Sequence, residues 1–369
     1  MGRCCPNAVH FLRTALGNTA HARSKEVRNR LLRLGRRFSI PRNDTKVGGG
    51  VHILIFGGAG FVGLNIAATC LGAGHRVTLF DRASPPAAFG PGIRFIQADV
   101  RDSAAVDAGI AGAVDVVILG AAVTAGPARE ARDPDTVLAV NLSALPPILE
   151  ACRRHRVSRV INLSSAAAYG GAPANDGVLR EATPAAPESL YAITKFASEA
   201  VSRRLAAHWG LDVVSVRLSA VFGRWERDTG VRDTLSPHAQ ILHAAASGDA
   251  AILPRPGERD WIYATDVAEA ILAVIETKGH LASLYNVATG RRWSALAWGQ
   301  AFARHVPGFS CRLAAPGEQP NVDLHASIDR PSLAADLLRR DAGWSARFDL
   351  EESVQDVWDW WCQQAKTLA

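Results

Sequence analysis

His52-Ile-Leu-Ile-Phe56 runs straight into Gly57-Gly-Ala-Gly60-Phe61-Val62-Gly63, and the reading of that junction decides the fold. The first five residues have the near-continuous apolar content of a buried strand, and the glycines then open a helix predicted to reach about Leu71. Glycine at 57, 60 and 63 permits a tight turn, close backbone approach to a pyrophosphate, and close packing of helix on strand. N–H groups at the positive end of the helix then hold the phosphates. Gly57, Gly60, Phe61, Val62 and Gly63 are therefore candidate dinucleotide-binding residues. Eighteen residues beyond Gly63, Asp81 ends the next strand, where a carboxylate can accept hydrogen bonds from the adenosine ribose hydroxyls. That charge repels a 2′-phosphate and favours NAD. The adjacent Arg82 leaves NADP open, since a guanidinium can pair with such a phosphate.

The same strand theme recurs at Arg76 to Asp81, Ile93 to Gln97, Val114 to Leu119, Val157 to Leu163 and Val213 to Leu218, with helical patterns between. Val/Ile/Leu-rich strands separated by helices predict an α/β fold, a Rossmann-type doubly wound parallel sheet covered on both faces. A smaller, mostly C-terminal substrate domain completes it. The expected division is a dinucleotide-binding domain over 51–218 with a return segment over about 258–290, and a substrate domain over 219–257 and 291–369. Asp99 and Val100, at the end of the third strand, are placed to reach an adenine edge, although an aspartate ending a strand is also ordinary.

Of the 369 residues 48% are hydrophobic and 21% charged, which excludes a disordered or fibrous chain. The net charge of +6 suggests nucleic acid until it is divided: residues 1–50 hold 11 Lys/Arg against Glu26 and Asp44, and the remainder is net acidic. The globular part thus offers no basic face for nucleic acid. Its longest apolar run, Val116 to Gly126, is shorter than the roughly 18 residues a membrane span needs. Six scattered cysteines, with no C-x-x-C pair and no histidine at ligand spacing, predict a reducing, cytoplasmic setting and no metal. The tail over 1–50 is expected to be non-structural, with an over-extended start upstream of Val51, an organellar targeting segment and a functional basic arm as its readings.

Tyr191-Ala-Ile-Thr-Lys195 puts a phenol and an ammonium at i and i+4 on one helix face, after the Pro/Ala-rich stretch Glu181 to Ser189. An ammonium about 4 Å away is worth roughly 4 kcal/mol at an effective dielectric of about 20, or about three pKa units as an upper bound. A phenol so shifted can exchange a proton with an alcohol or carbonyl. Asn162-Leu-Ser164-Ser165-Ala-Ala-Ala-Tyr169 lies at the C-terminal end of a strand, the edge where doubly wound sheets place ligands. A hydroxyl there can donate to the substrate oxygen. Tyr169 reads as packing.

Taken together, these motifs resemble the extended short-chain dehydrogenase/reductase superfamily, specifically the NAD-dependent epimerase/dehydratase family. The resemblance covers about residues 51–362. It adds Ala121-Ala122 after the fourth strand, Asn141-Leu, Arg217 with Phe222-Gly223, Arg259-Asp-Trp-Ile-Tyr-Ala-Thr-Asp266, and Tyr285-Asn-Val-Ala-Thr-Gly290 to the segments already quoted. It implies Tyr191 as general acid/base, Lys195 lowering its pKa and holding the nicotinamide ribose, and Ser165, rather than Ser164, as the catalytic hydroxyl. It also implies that Ala121 and Ala122 line the cofactor, that Asn141 braces the sheet, and that subunits pair as a homodimer through long helices.

The implied reaction moves a hydride between a secondary alcohol carbon of a sugar-like substrate and nicotinamide. Relatives that dehydrate nucleotide sugars have an Asp-Glu pair where this chain has Ala166 and Ala167, so dehydration by that route is not expected. The asparagines that hold nucleotide sugars are replaced by Ala220 and, in Thr234-Leu-Ser-Pro237, by Thr234, and no diphosphate-gripping arginine stands near Pro316-Gly-Glu318. Losing such contacts costs about 1 kcal/mol or more apiece, which tilts the expectation toward smaller carbohydrates. Arg224, Thr234, Arg259 and Ser165 are the candidate substrate contacts, with a solvated charged loop as the competing reading of Arg224 to Arg232. His238 and His243 read as packing or surface, and Leu350, Val354, Val357, Trp358 and Trp361 as a core stripe. The expected function is that of an NAD-dependent sugar dehydrogenase or epimerase. Its alternatives are a UDP-sugar 4-epimerase and a non-catalytic dinucleotide sensor or nucleic-acid-binding relative on the same fold.

Overall fold

Along the first strand, Ile53 and Ile55 belong to one buried cluster and Leu54 and Phe56 to another, as the two-residue period of a strand buried on both faces requires. The computed structural model of the chain describes residues 50–90, 93–172, 177–325 and 329–368. Tail residues 1–49, and with them the targeting reading, lie outside the described residues. Seven strands make the main sheet: β1 (His52–Phe56), β2 (Arg76–Asp81), β3 (Arg94–Gln97), β4 (Val116–Leu119), β5 (Arg159–Ser165), β6 (Val213–Leu218) and β7 (Leu284–Val287). Their order is β7-β6-β5-β4-β1-β2-β3, every pair parallel, which is the doubly wound architecture expected.

Helices α1 (Phe61–Gly72), α2 (Ser103–Ile110), α3 (Leu145–Arg154), α4 (Leu190–Trp209), α5 (Pro237–Ser247), α6 (Ala264–Glu276), α7 (Ala295–Ala303) and α8 (Leu350–Leu368) complete the frame. Leu64 and Ile66 of α1 and Val267 and Ile271 of α6 cover one face of the sheet, while Val106 of α2 and Leu149 of α3 cover the other. A separate core joins Ile241, Trp298, Phe302, Val354, Val357 and Trp361, so the stripe on α8 is buried where its period places it. β4 starts two residues later than the sequence suggests, and just before it Asp115 accepts the His52 N–H on its carboxylate at 2.7 Å. β5 runs two residues further, through Ser164 and Ser165.

Buried polar bonds set α4 on the sheet. Ser189 caps the helix, its hydroxyl accepting from the Ala192 N–H. Lys195 Nζ donates to the Leu163 carbonyl at 2.8 Å, and Asn162 Nδ2 donates to Ser198 Oγ at 3.1 Å. Glu199 accepts from Ser164 Oγ and takes both Nε and Nη2 of Arg217 at 2.9 and 2.7 Å, with both side chains about 95% buried. The Arg217 guanidinium lies 4.3 Å from the Tyr169 ring, whose hydroxyl is tied to Asn286 and the Arg180 carbonyl. Losing one partner of such a pair costs about 3–5 kcal/mol, because the other charge is then stranded. Tyr169 is thus packing, as its sequence setting suggests.

His238 is the anomaly of the second core. It is 1% exposed, stacks on Phe222 at 3.9 Å, is edged by Trp261, Trp293 and Trp298, and neither ring nitrogen has a hydrogen-bond partner. Burial holds its imidazole well below the usual 6.5. The unfolded chain takes up this proton as pH falls through about 6.5 and the folded chain does not, so stability drops on the acid side by up to about 1.4 kcal/mol per pH unit. His325, pulled down to about 4 mainly by burial, adds a slope of the same sign. Between pH 7 and 5, denaturant unfolding of His238→Phe is expected to show a shallower loss of stability than the parent; equal slopes would mean that His238 protonates freely in the fold.

Candidate active site and dinucleotide cleft

The turn after β1 has the shape a dinucleotide needs. Gly57 sits at φ +75, and a Cβ there would lie 2.6 Å from the Ala121 nitrogen; one on Gly63 would lie 2.4 Å from the Gly57 carbonyl oxygen. Only glycine allows the turn, the end of β4 and α1 to approach this closely. Helix α1 follows Gly60 at its N-cap with no side-chain cap, so its first N–H groups remain for a ligand. Asp81 is fixed by N–H groups of Ala59 and Ala83 at 3.1 and 3.0 Å, while burial pushes its carboxyl up and those hydrogen bonds oppose the shift. This cradle fits NAD.

The other expected cofactor contacts divide. Asp99 is gripped by Arg101 through two side-chain hydrogen bonds of 3.0 and 2.7 Å, which hold its carboxyl below the usual range, and Arg82 stands 3.8 Å away on the surface. Val100, Ala121 and Lys195 line one small cavity of about 30 Å³ together with Asn141 and Asn162. Ala122 follows Ala121 in the loop leaving β4. Asn141 binds both the N–H and the carbonyl of Val123, at 2.7 and 3.0 Å, and reaches Thr194 on α4, so it braces this loop against the helix.

Tyr191 and Lys195 share a face of α4 at the C-terminal edge of the sheet, with Nζ 5.8 Å from the phenol ring centroid. The two serines separate cleanly. Ser164 is 3% exposed and committed to Glu199, whereas Ser165 is half-buried and caps the short helical turn Ala166–Tyr169 by accepting from the Ala167 N–H at 3.1 Å. Ala166 and Ala167 bring no acid or base to this turn. The thiols of Cys70, Cys152 and Cys311 are buried and pushed up to about 12, so none of the three is poised as a nucleophile. Among the described residues no group of three His, Cys, Asp or Glu can hold a metal ion, and no helix is long and apolar enough to cross a membrane.

The substrate candidates are sorted by their partners. Arg224, expected to receive a substrate anion, pairs with Asp356 on α8, a carboxylate also bonded by Tyr263, while its Nε has no hydrogen-bond partner among the described residues. Thr234 is half-buried just before α5. Arg259 donates to the Leu324 carbonyl at 2.8 Å, and its guanidinium is lowered to about 10, first by burial and then by Arg330 and Arg255. Leu324 and Arg255 line a cavity of about 700 Å³ with Gln240, Asn321, Asp323 and His325. Arg255 and Arg330 escaped the sequence reading because nothing in linear spacing relates Arg330 to a position 71 residues earlier.

The loop from Arg224 to Ser236 forms a strap from the second core to the Rossmann half. Asn65 of α1 donates to the Arg224 carbonyl at 2.8 Å, Arg227 Nη2 donates to the Ala59 carbonyl at 3.0 Å, and Thr124 N–H donates to the Val231 carbonyl at 2.8 Å. Asp233 accepts from the Gly126 N–H and from Arg129. Within the strap, buried Glu226 accepts from Ser236 and pairs with Arg232.

The sequence profile of the NAD-dependent epimerase/dehydratase family matches residues 53–288. A UDP-glucose 4-epimerase of Bacillus subtilis is 28% identical over 338 residues, spanning 84% of this chain and 96% of its own length. A dTDP-glucose 4,6-dehydratase of Streptomyces niveus is 26% identical over 339 residues, spanning 84% and 93%. The crystal structure of a Thermus thermophilus UDP-glucose 4-epimerase in complex with NAD superposes with a TM-score of 0.69 at 26% identity, covering 84% of this chain and 99% of that one. With the family profile matched over more than half of its length, the chain belongs to the NAD-dependent epimerase/dehydratase family, an NAD-dependent enzyme of the extended short-chain dehydrogenase/reductase superfamily.

Proposed function

We propose that this enzyme epimerises a secondary alcohol carbon of a sugar attached to a nucleoside diphosphate. The observation behind the substrate is a cavity of about 700 Å³ whose lining does not include Tyr191, beside which Arg259 meets Arg330 and Arg255, with Asp329, already paired to Arg255, and Asp323 offsetting only part of the repulsion. An anion relieves that repulsion, and a substrate that both fills the cavity and reaches Tyr191 has two parts, a reacting sugar and an anionic handle. The missing asparagines at Ala220 and Thr234 argue for small carbohydrates, but a free sugar brings no anion to Arg259.

Tyr191 takes the proton of the reacting hydroxyl and returns it, while Ser165 donates to the same oxygen. Lys195, anchored on the Leu163 carbonyl, supplies positive charge beside the phenol and a donor toward the nicotinamide ribose. NAD, when bound, supplies the hydride acceptor and donor. The strap over the glycine turn restrains exchange of the cofactor, which favours return of hydrogen to the same carbon over release of reduced cofactor. The Ala166-Ala167 turn lacks the second acid and base that dehydration uses.

Chromatography of UDP-glucose, dTDP-glucose, free sugars and sugar acids after incubation with the enzyme, with absorbance at 340 nm, tests this reading. Epimer formation from a nucleotide sugar without accumulating NADH is expected; stoichiometric NADH from a free sugar would replace epimerase with dehydrogenase. Tyr191→Phe is expected to lower turnover about 10²–10⁴-fold with NAD affinity unchanged, and an active variant would show that another group moves the proton. Arg259→Gln is expected to raise KM for the nucleotide sugar at least tenfold, since charge-assisted hydrogen bonds contribute about 1.5–3 kcal/mol, with kcat little changed. Homodimer formation through α4 is read from Ile193 and Phe196, which it leaves 44% and 38% exposed; Ile193→Asp should produce monomers in sedimentation, and an unaltered dimer would move the interface elsewhere.

A further inference from the structure

We propose that Arg227, delivered by the strap, is a ligand of the cofactor's diphosphate. The proposal rests on the dinucleotide reading of the glycine turn and names a contact from outside the Rossmann half. Three arginines of the strap have different fates. Arg224 is paired with Asp356, its Nε left without a partner, and Arg232 is paired with Glu226, whereas Arg227 forms no salt bridge among the described residues and has the Asp81 carboxylate as a more distant counter-charge. Its Nη2 is held on the Ala59 carbonyl at 3.0 Å, inside the glycine turn, and its Nη1 is closed to solvent with no hydrogen-bond partner. A guanidinium nitrogen buried in this way is costly until an acceptor arrives.

The acceptor chemistry follows from the surroundings. The uncapped start of α1 points N–H groups into the same turn, so an incoming group meets donors from the helix and a cation from the strap. A phosphate oxygen satisfies both. A dinucleotide offers the bridging diphosphate or, in NADP, a 2′-phosphate. Asp81, held by Ala59 and Ala83 on the ribose side, disfavours the second, which leaves the diphosphate. Because Thr124 bonds to Val231 and Asp233 across the cleft, Arg227 withdraws only when the strap detaches, and cofactor release slows accordingly.

Calorimetric titration of the full chain, freed of co-purified nucleotide, with ADP, NAD, NADP and adenosine tests the assignment without reference to turnover. Arg227→Gln is expected to weaken ADP and NAD together, on the order of tenfold to a hundredfold, with adenosine unchanged. Unchanged affinity for ADP and NAD overturns the proposal, and so does weakening confined to NADP, which would place Arg227 on a 2′-phosphate. If the glutamine variant lacks a thermal unfolding transition, Arg227→Met, which keeps the apolar stem, repeats the test with the same outcomes. Failure of the parent chain to bind ADP or NAD would instead overturn the dinucleotide reading, and the Arg227 assignment with it.

Discussion

The candidate active site depends on the register of one helix against one strand end. Lys195 on the Leu163 carbonyl, Ser198 on Asn162 and Glu199 on Ser164 and Arg217 pin successive turns of α4 to β5 and β6. These groups are buried, so any slide along the sheet would break several hydrogen bonds and strand a charge together. Tyr191 therefore reaches the C-terminal edge of the sheet at a height set by buried bonds rather than by its own contacts. The large Coulombic and hydrogen-bonding cost of leaving Arg217 unpaired is what makes that height unique.

The same logic explains the division of labour between the two serines. Along β5 successive side chains point to opposite faces, so Ser164 and Ser165 cannot both face the cleft. Ser164 is absorbed into the Glu199–Arg217 pair, and Ser165 is left at the turn. The hydroxyl proposed for the chemistry is the one outside the Glu199–Arg217 network.

A second theme is the use of arginine at domain boundaries. The chain has few lysines, and in the described cleft guanidinium groups do most of the cross-linking: Arg224 to α8, Arg129 to the strap, Arg227 to the glycine turn. A planar group with five donors can bind a carbonyl or carboxylate and still have donors left over. Arg224 and Arg232 give donors to protein carboxylates, and Arg224 keeps its Nε without a partner among the described residues. Arg259 and Arg227 have carboxylates nearby but form no salt bridge among the described residues, which is why an anionic ligand is proposed at each.

The sequence by itself determined the parallel α/β architecture, the glycine turn, Asp81 and the Tyr191/Lys195 pair, because each is written in local spacing: an apolar run, a three-residue glycine period, an i, i+4 step. Strand ends were less legible, since the start of β4 lies beside Asp115, whose carboxylate bonds a residue 63 positions away. The fates of the arginines were not legible at all. Arg224 and Asp356 are 132 positions apart and Arg227 and Ala59 are 168 apart, so only the folded chain decided which charges hold the protein together and which face a ligand. Local periodicity is set by the geometry of one helix or strand, whereas charge pairing is set by which distant segments the core brings into contact.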